Sequence, residues 1–399
     1  MTKVGYFLLF FFSFFLSCNK LIRIPESQTG KVEKLISIVP SKESGRPFDL
    51  TPYLDTVKYV KLESTDESIF GSIDKMIVYE DSIYILDKIT NSLLVFDMEG
   101  NYLYKIAKRG PGPDEYTQLD FFDIDRENKQ IVLTDLMAYW IMRYDMNGNF
   151  LYKQKIPIWC EGVSVLPNGG IVLYANFRNN SSKLKQEYNL ICLNSNMDFE
   201  KGYFPYKSEN FNIKIATSAA GHFYRSNDHL NFSFPRGNTV YQFYNDSLIK
   251  KYKFDFGNEI LPVENPGSAE KFMEYYNNNK YCGFWSYIME NDDLLFFTIQ
   301  ANVEVPFIYV ISYSKESGNI LLSSVYMIEN VFSVGHPKAG YGPWIVSEIE
   351  AYSLIEWRDA FSKEQIAFVD SYTKERLTLA ETLTKNDNSV LMFYKLKPF

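Results

Sequence analysis

Histidine and cysteine are scarce in this sequence, and their scarcity limits the chemistry that the chain can support. The 399 residues include three histidines and four cysteines, with no Cys-x-x-Cys pair. The Walker lysine, His-Glu-x-x-His and Gly-x-Ser-x-Gly motifs are also missing. His222, His229 and His336 are therefore expected to be surface hydrogen-bonding residues rather than a zinc site.

Long apolar runs are missing after residue 17, where no stretch approaches the roughly 20 residues of a membrane-spanning helix. With 23% charged and 46% hydrophobic residues, the chain is typical of a folded soluble body. Its net charge of −8 argues against a nucleic-acid partner, whose phosphates attract basic surfaces. The length suits one large domain or two ordinary ones.

The first residues have the pattern of an export signal. Lys3 precedes an almost unbroken apolar and aromatic run over residues 4–16, which is followed by Ser17 and Cys18. This pattern is typical of a secretory signal, so we predict that residues 1–17 are removed.

The ending Leu16-Ser17-Cys18 resembles a bacterial lipoprotein box, although Phe15 replaces the expected small aliphatic residue. The resemblance implies that Cys18 is lipidated and anchors the protein in the outer membrane. Residues 18–48 are polar with weak periodicity and are predicted to form a flexible tether. Removal of the signal and lipidation of Cys18 leave three cysteines, which allow at most one disulfide: Cys160, Cys192 and Cys282.

A repeat of 48 residues predicts the fold. The runs 83–87 and 93–103 recur as 131–135 and 141–151 in the same register. Short β-branched and aromatic runs bounded by Asp, Asn and Gly predict antiparallel hairpins, with Gly100 at one of the tight turns. A period in the forties with about four strands is typical of a β-propeller blade. Looser copies follow at 169–194, 229–244 and 293–313.

Insertions and chain ends complete this all-β prediction. Helices are expected after Ser268, after a capping box of Ser347 and Glu350, and around residues 373–383. The closing strand, 390–396, is expected to pair with an early strand at 57–62, because such pairing closes a propeller ring and protects its edges.

Several motifs carry a family resemblance. Residues 109–116 (Arg-Gly-Pro-Gly-Pro-Asp-Glu-Tyr) precede Phe-Phe-Asp-Ile-Asp at 121–125. Two further motifs of the resemblance are Glu-Asn-Asp-Asp-Leu at 290–294 and the closing segment Asn-Asp-Asn-Ser-Val-Leu at 386–391. Over residues 49–399 the chain resembles the six-bladed β-propeller lipoproteins abundant in Bacteroidetes, divergent relatives of NHL-repeat propellers. The resemblance implies six blades, with a few short helical insertions in the C-terminal half. Asn19-Lys20 lacks the acidic run of surface-exposed lipoproteins in this group, which favours the periplasmic face.

Six residues are the candidate binding residues, five in predicted loops and one tryptophan that could offer a flat platform for a sugar ring: Arg109, Glu115, Tyr116, Trp159, Arg236 and Trp285. Each also has a structural interpretation. Tyr116 can fill the gap between blades, Arg109 can pair with Asp114 or Glu115, and the tryptophans can pack in the core.

Carboxylates offer a second type of site. Asp87, Asp123, Asp125 and Asp135 are candidates for a Ca²⁺ site of the kind found in propeller lactonases. However, Asp87 and Asp135 recur with the blade, which favours hydrogen bonds to their own turns.

The sequence therefore predicts an exported, membrane-anchored propeller that binds a glycan, a peptide or an envelope protein. No catalytic residue and no firm cofactor is predicted. The alternative is a metal-dependent hydrolase or lactonase on the same fold.

Overall fold

A computed structural model describes residues 21–41, 43–210, 223–226, 228–245, 247–277, 281–302, 306–328, 332–335, 337–360 and 371–399. The predicted leader 1–17, Cys18, His222 and His336 lie outside these ranges.

Three strands precede the first complete blade: β1 (Val32–Ser37), β2 (Phe48–Asp49) and β3 (Leu54–Lys61). Blade 1 comprises β4 (Lys75–Tyr79), β5 (Ser82–Asp87), β6 (Ser92–Asp97) and β7 (Tyr102–Ile106). Blade 2 comprises β8 (Phe121–Asp125), β9 (Gln130–Asp135), β10 (Trp140–Asp145) and β11 (Phe150–Lys155). Blade 3 comprises β12 (Gly162–Val165), β13 (Ile171–Tyr174), β14 (Glu187–Leu193) and β15 (Phe199–Tyr206).

The later blades carry the insertions. Blade 4 comprises β16 (Phe223–Ser226), β17 (His229–Ser233), β18 (Thr239–Tyr244) and β19 (Ser247–Asp255). Blade 5 comprises β20 (Cys282–Glu290), β21 (Leu294–Asn302), β22 (Pro306–Ser314) and β23 (Ile320–Ser323). Two short strands, β24 (Tyr326–Ile328) and β25 (Phe332–Ser333), form a small sheet with β2. Blade 6 comprises β26 (Pro337–Tyr341), β27 (Trp344–Ile349), β28 (Val390–Leu396) and β3.

Strand pairing between the two ends of the chain closes the ring, as predicted. β3 is antiparallel to β28, and the register joins Lys61 to Val390 and Val57 to Tyr394. The protein is therefore a six-bladed β-propeller in which the outer strand of blade 6 comes from the N-terminal part of the chain.

The innermost strands line a central channel. These strands are β4, β8, β12, β16, β20 and β26, and each contacts the next around the ring. Because the four strands of a blade alternate in direction, every blade finishes at the end of the channel where it began. We call the end where the inner strands begin the upper end and the opposite one the lower end.

The predicted hairpin repeat is confirmed in blades 1 and 2. Asp97 accepts backbone hydrogen bonds from Glu99 (3.0 Å) and Asn101 (2.8 Å), and Asp145 makes the same bonds in the next blade. Gly100 has a φ of +90° and Gly148 a φ of +80°, in the left-handed region that favours glycine.

Three short helices lie among the described residues: α1 (Ala269–Asn277), α2 (Ala351–Asp359) and α3 (Ser371–Glu381). The helices predicted after Ser268 and around residue 373 are confirmed. The predicted capping box is wrong, because Ser347 is a buried residue of strand β27 and Glu350 makes no side-chain cap. Ser347 belongs to the strand because it and both of its neighbours pair with residues of β28.

Residues 22–38 differ from the expected flexible tether, because they are hydrogen-bonded to blades 3 and 4. The amide of Ile22 donates to the carbonyl of Lys183 (3.0 Å), and β1 adds a fifth, parallel strand to blade 4 beside β19. The physical reason is three buried apolar side chains that the polar composition of the segment obscured: Ile24, Ile36 and Ile38.

Aromatic and aliphatic side chains fill the wedges between blades. Between blades 1 and 2, for example, Tyr84, Phe122 and Tyr144 belong to one buried cluster. Cys160, Cys192 and Cys282 are free thiols. The fold is therefore held by packing and strand pairing, with no disulfide among these three cysteines.

The tight turn at Gly100 provides a test of the ring-closure geometry. A Cβ at this position would lie far inside 3.0 Å of the carbonyl oxygen of Lys61, at the end of β3. Gly318 has a similar φ of +78°, but nothing lies within 4 Å of its Cβ position. We expect Gly318→Ala to cost about 1 kcal/mol and Gly100→Ala at least about 2 kcal/mol more in urea unfolding. Equal losses would show that contact with β3 does not constrain the turn.

Candidate functional site

The central channel contains a cavity of about 110 Å³ to which all six blades contribute. Its lining includes Asp74–Val78 from blade 1, Asp123 and Arg126 from blade 2, Ser164 from blade 3, Phe223–Arg225 and Leu230 from blade 4, Ile288 and Met289 from blade 5, and Pro337–Gly340 from blade 6. A concave site of this kind, with a few polar groups among apolar ones, is typical of small-ligand binding.

Asp123 is the centre of a hydrogen-bond network that joins three blades. Its side chain accepts a hydrogen bond from the Ser164 hydroxyl (2.5 Å) and another from the backbone amide of Val165 (2.9 Å). Arg225 reaches the same carboxylate oxygen with its Nη2 (3.3 Å) and donates to the Val165 carbonyl (2.5 Å). Blades 2, 3 and 4 therefore fix this carboxylate from three directions.

The environment keeps Asp123 ionised. Burial alone would raise the pKa of its carboxyl, but the charges of Arg225 and Lys75, with the bonds from Ser164 and Val165, hold it well below its usual range. Asp123 is therefore a permanent negative charge that orients Arg225, and not a group that exchanges protons near neutral pH.

Lys75 brings a second cation into the channel from the first residue of β4. Its Nζ donates to the carbonyl of Phe122 (2.8 Å) and lies 5.5 Å from the centre of the Phe122 ring. Burial lowers the pKa of Lys75, the charge of Asp123 opposes this shift, and Arg225 and Lys88 add to it.

Cations outnumber anions in the lining of the cavity. The lining holds four cations, Lys75, Arg126, Arg225 and Lys338, and two carboxylates, Asp74 and Asp123.

Three of these four cations are neutralised by carboxylates. Arg225 pairs with Asp123, Arg126 with Asp228 (2.9 Å) and Lys338 with Glu348 (3.0 Å). Within the described ranges, Lys75 has no carboxylate at salt-bridge distance. It is thus the channel cation whose charge the protein compensates least.

The predicted loop 109–116 lies at the upper end, between β7 and β8, and packs tightly. Tyr116 is buried, and its hydroxyl donates to the carbonyls of Asn91 (2.9 Å) and Ile106 (3.2 Å). Burial raises the pKa of Tyr116 to about 12. Glu115 accepts from the amide of Gly112 (2.7 Å), and Arg109 forms an isolated bridge with Tyr116. Tyr116 therefore packs between blades 1 and 2, as expected if its role is structural.

Asp114 has a different partner from the one expected. Its carboxylate forms an ion pair with Lys108 at 2.6 Å, whereas Arg109 was the expected partner.

Two of the remaining candidates come together at the upper end. The guanidinium carbon of Arg236, in the turn between β17 and β18, lies 4.0 Å from the ring centre of Trp285 in β20. Arg236 also bonds the side chain of Gln300, and burial lowers its pKa. Trp159 stands apart, 54% exposed and edge-on to Tyr139. None of the six predicted residues lines the channel cavity, and their role in binding stays a prediction.

The four candidate carboxylates do not converge. Asp87 accepts from the amide of Ile89 (2.8 Å) and Asp135 from that of Ala138 (2.8 Å), which confirms their turn role. Asp125 pairs with Arg143 at 2.6 Å, and of the four only Asp123 lines the cavity. Over the described part of the chain, no group of three or more His, Cys, Asp or Glu side chains is arranged to hold a metal ion.

Lys75, Ser164 and Arg225 were missed by the sequence analysis. They are widely separated in the chain, and each contacts the channel only because the ring closes. A signal was nevertheless present, since each polar side chain stands within a short apolar or aromatic inner strand.

These features define the class of protein: a six-bladed propeller with a charged, partly enclosed channel. The chain belongs to the family described as domain of unknown function DUF4934, whose profile matches residues 33–395. A search of curated proteins found no match. No helix in the described segments is long and apolar enough to cross a membrane.

Several solved structures are similar to this chain. A presumed exported protein of Bacteroides fragilis NCTC 9343 is 19% identical with a TM-score of 0.69, and the match covers 92% of this chain and all of that one. A member of the DUF4221 family from Bacteroides vulgatus ATCC 8482 is 10% identical (TM-score 0.46; 86% and 97% covered). BamB from Moraxella catarrhalis is 7% identical (TM-score 0.37; 75% and 84% covered).

The Asp123 network leads to a stability test. Asp123→Asn leaves the half-buried Arg225 without the counter-charge of the buried Asp123, and breaking a buried pair costs about 3–5 kcal/mol. As the control, Asp228→Asn removes the exposed partner of Arg126 and is expected to cost less than about 1 kcal/mol. Urea unfolding at pH 7 measures both, and similar losses would contradict the role given to Asp123.

The same variant has a pH signature. Because the pKa of Asp123 is lower in the folded state, its stabilisation is complete above the unfolded value of about 4 and is lost as the pH falls below it. Between pH 5 and 3, Asp123→Asn should therefore lose less stability than the unmodified protein.

Proposed function

We propose that this protein is an exported, lipid-anchored propeller of the bacterial envelope that binds a small ligand in its central channel. The observation that carries the proposal is the cavity lined by all six inner strands, with fixed charged groups on apolar walls. The Asp123 network supports it, because ligand sites need polar groups whose positions are set before binding.

Binding is favoured over catalysis by the state of the channel carboxylate. Asp123 accepts bonds from Ser164, Val165 and Arg225, so its oxygens are already engaged. A general base would need a pKa closer to neutrality, whereas the pKa of this group is lowered. Glycans and peptide fragments remain the ligand classes to test first, with an envelope protein as the other partner.

A thermal-unfolding screen of the mature chain tests the proposal. Ligands that prefer the folded state raise the midpoint of unfolding, so we expect one oligosaccharide or peptide class to raise it and EDTA to leave it unchanged. The increase should be reduced by Ser164→Ala, in the channel, and retained by Ser181→Ala, on an exposed loop of blade 3.

Two results would contradict the proposal. A midpoint that falls with EDTA and recovers with one metal would favour the metal-dependent hydrolase. An increase that Ser164→Ala leaves intact would place the ligand outside the channel.

The proposed anchor has its own test in the full-length chain. Cys18→Ser removes the only thiol at the proposed lipidation site, so we expect the protein to move from the membrane fraction to the soluble periplasmic fraction. Cys160→Ser, at a half-buried cysteine of the propeller, should stay with the membrane. Retention of Cys18→Ser in the membrane would contradict lipidation, and digestion of the unmodified protein by protease added to whole cells would contradict the periplasmic placement.

A further inference from the structure

We infer that the channel ligand carries an oxyanion, a carboxylate or a phosphate, which Lys75 and Arg225 receive. This inference rests on the proposed binding function and specifies the chemistry of the group that enters the channel.

Lys75 is the one cation of the lining that has no carboxylate at salt-bridge distance among the described residues. The other three are paired, Arg225 with Asp123, Arg126 with Asp228 and Lys338 with Glu348. An oxyanion in the cavity would supply the counter-charge that Lys75 lacks.

Lys75 also has hydrogen-bonding capacity that the protein does not use. An ammonium group has three N–H donors, and in the described part of the chain one of them is used, by the carbonyl of Phe122. The aromatic ring of Phe122 contributes a weaker contact, 5.5 Å away. Two donors are thus available for a ligand in a site where few other groups stabilise the charge.

Arg225 is held on one side only, which leaves N–H donors for a ligand. Its Nη2 is fixed by the Val165 carbonyl (2.5 Å) and by Asp123 (3.3 Å), while Nε makes a long contact with Asp123 (3.5 Å). No bond from Nη1 is made within the described ranges. The guanidinium is therefore held in place and keeps N–H donors for a planar or tetrahedral oxyanion.

The ionisation of Lys75 links binding to pH. Burial lowers its pKa, whereas a bound oxyanion stabilises the charged form and raises the pKa again. Binding is then accompanied by proton uptake, and affinity falls as the pH rises. The other charged groups around Lys75 are Asp74, Lys88, Asp123, Arg126, Arg225 and Lys338.

The experiment uses the mature chain with inorganic phosphate and acetate as probes, and chloride at equal ionic strength as the reference. Isothermal titration gives the Kd, and the thermal midpoint gives an independent reading. A preference for phosphate or for acetate distinguishes the two sources of the oxyanion. Lys75→Gln removes the charge, Lys75→Arg retains it, and Lys183→Gln is the matched control at an exposed lysine of blade 3.

We expect at least one probe to bind and the Kd to rise about tenfold or more in Lys75→Gln, since loss of a desolvated charged partner is costly. Lys75→Arg should retain much of the affinity, and Lys183→Gln should match the unmodified protein. The affinity of the unmodified protein for acetate, whose own charge is constant above pH 6, should fall as the pH rises towards the ordinary lysine range, and this result does not depend on the folding of any variant.

Two results would overturn the inference. One is the absence of binding by either probe beyond the effect of chloride. The other is equal affinity in the unmodified protein and in a folded Lys75→Gln variant. A neutral oligosaccharide or an amidated peptide that binds both proteins equally, but not Ser164→Ala, would leave the proposed channel function in place and refute only the oxyanion.

Discussion

The pairing of β3 with β28 is the contact on which the rest of the structure depends. It joins segments more than 300 residues apart in the chain, with Lys61 opposite Val390, and it completes blade 6 from both ends of the propeller. Without it, β26 and β4 would not be held side by side, and the channel would open along one wall. No covalent link among the described cysteines replaces this pairing, so the closed ring depends on non-covalent contacts, of which this strand pair and the packing of blade 6 on blade 1 are the main ones. The tight turn at Gly100, which lies against the end of β3, shows how closely blade 1 fits this seam.

Closure also explains how charged side chains from different blades come to share the channel. Five of the six inner strands supply polar lining side chains, and only the ring brings Lys75, Asp123 and Arg225 together from three blades. Burying these charges is unfavourable unless partners compensate them. Asp123 receives four donors from blades 2, 3 and 4, counting the amide of Ile124, whereas Lys75 has one carbonyl. Stability does not require this imbalance, because a half-buried ammonium with one protein acceptor contributes little to it. Such a charge is expected in a site where a bound ligand supplies the opposite charge.

The sequence predicted the architecture well because its signals are local. The 48-residue repeat, the Asp-x-x-Gly-Asn turns and the strand runs are all visible in short windows, and the partner of the last strand follows from the logic of ring closure. The errors arose where tertiary packing overrides a local pattern. Ser347 has the spacing of a capping residue, yet it is buried in β27 because both neighbours pair with β28. Residues 22–38 look polar, yet Ile24, Ile36 and Ile38 bind the segment to the propeller. The channel site was missed for the same reason, since Lys75, Asp123 and Arg225 lie in three different blades. The conspicuous loop 109–116, by contrast, is largely occupied by its own turn hydrogen bonds.

The central claim is that the channel between the inner strands is a binding site for an oxyanion, and a crystal structure of the mature chain soaked in phosphate tests it most directly. We predict tetrahedral density within hydrogen-bond distance of both Lys75 Nζ and the Arg225 guanidinium, with the hydrogen bond from Ser164 to Asp123 intact. A channel that holds only water at saturating phosphate, or density confined to the upper end near Arg236 and Trp285, would contradict it.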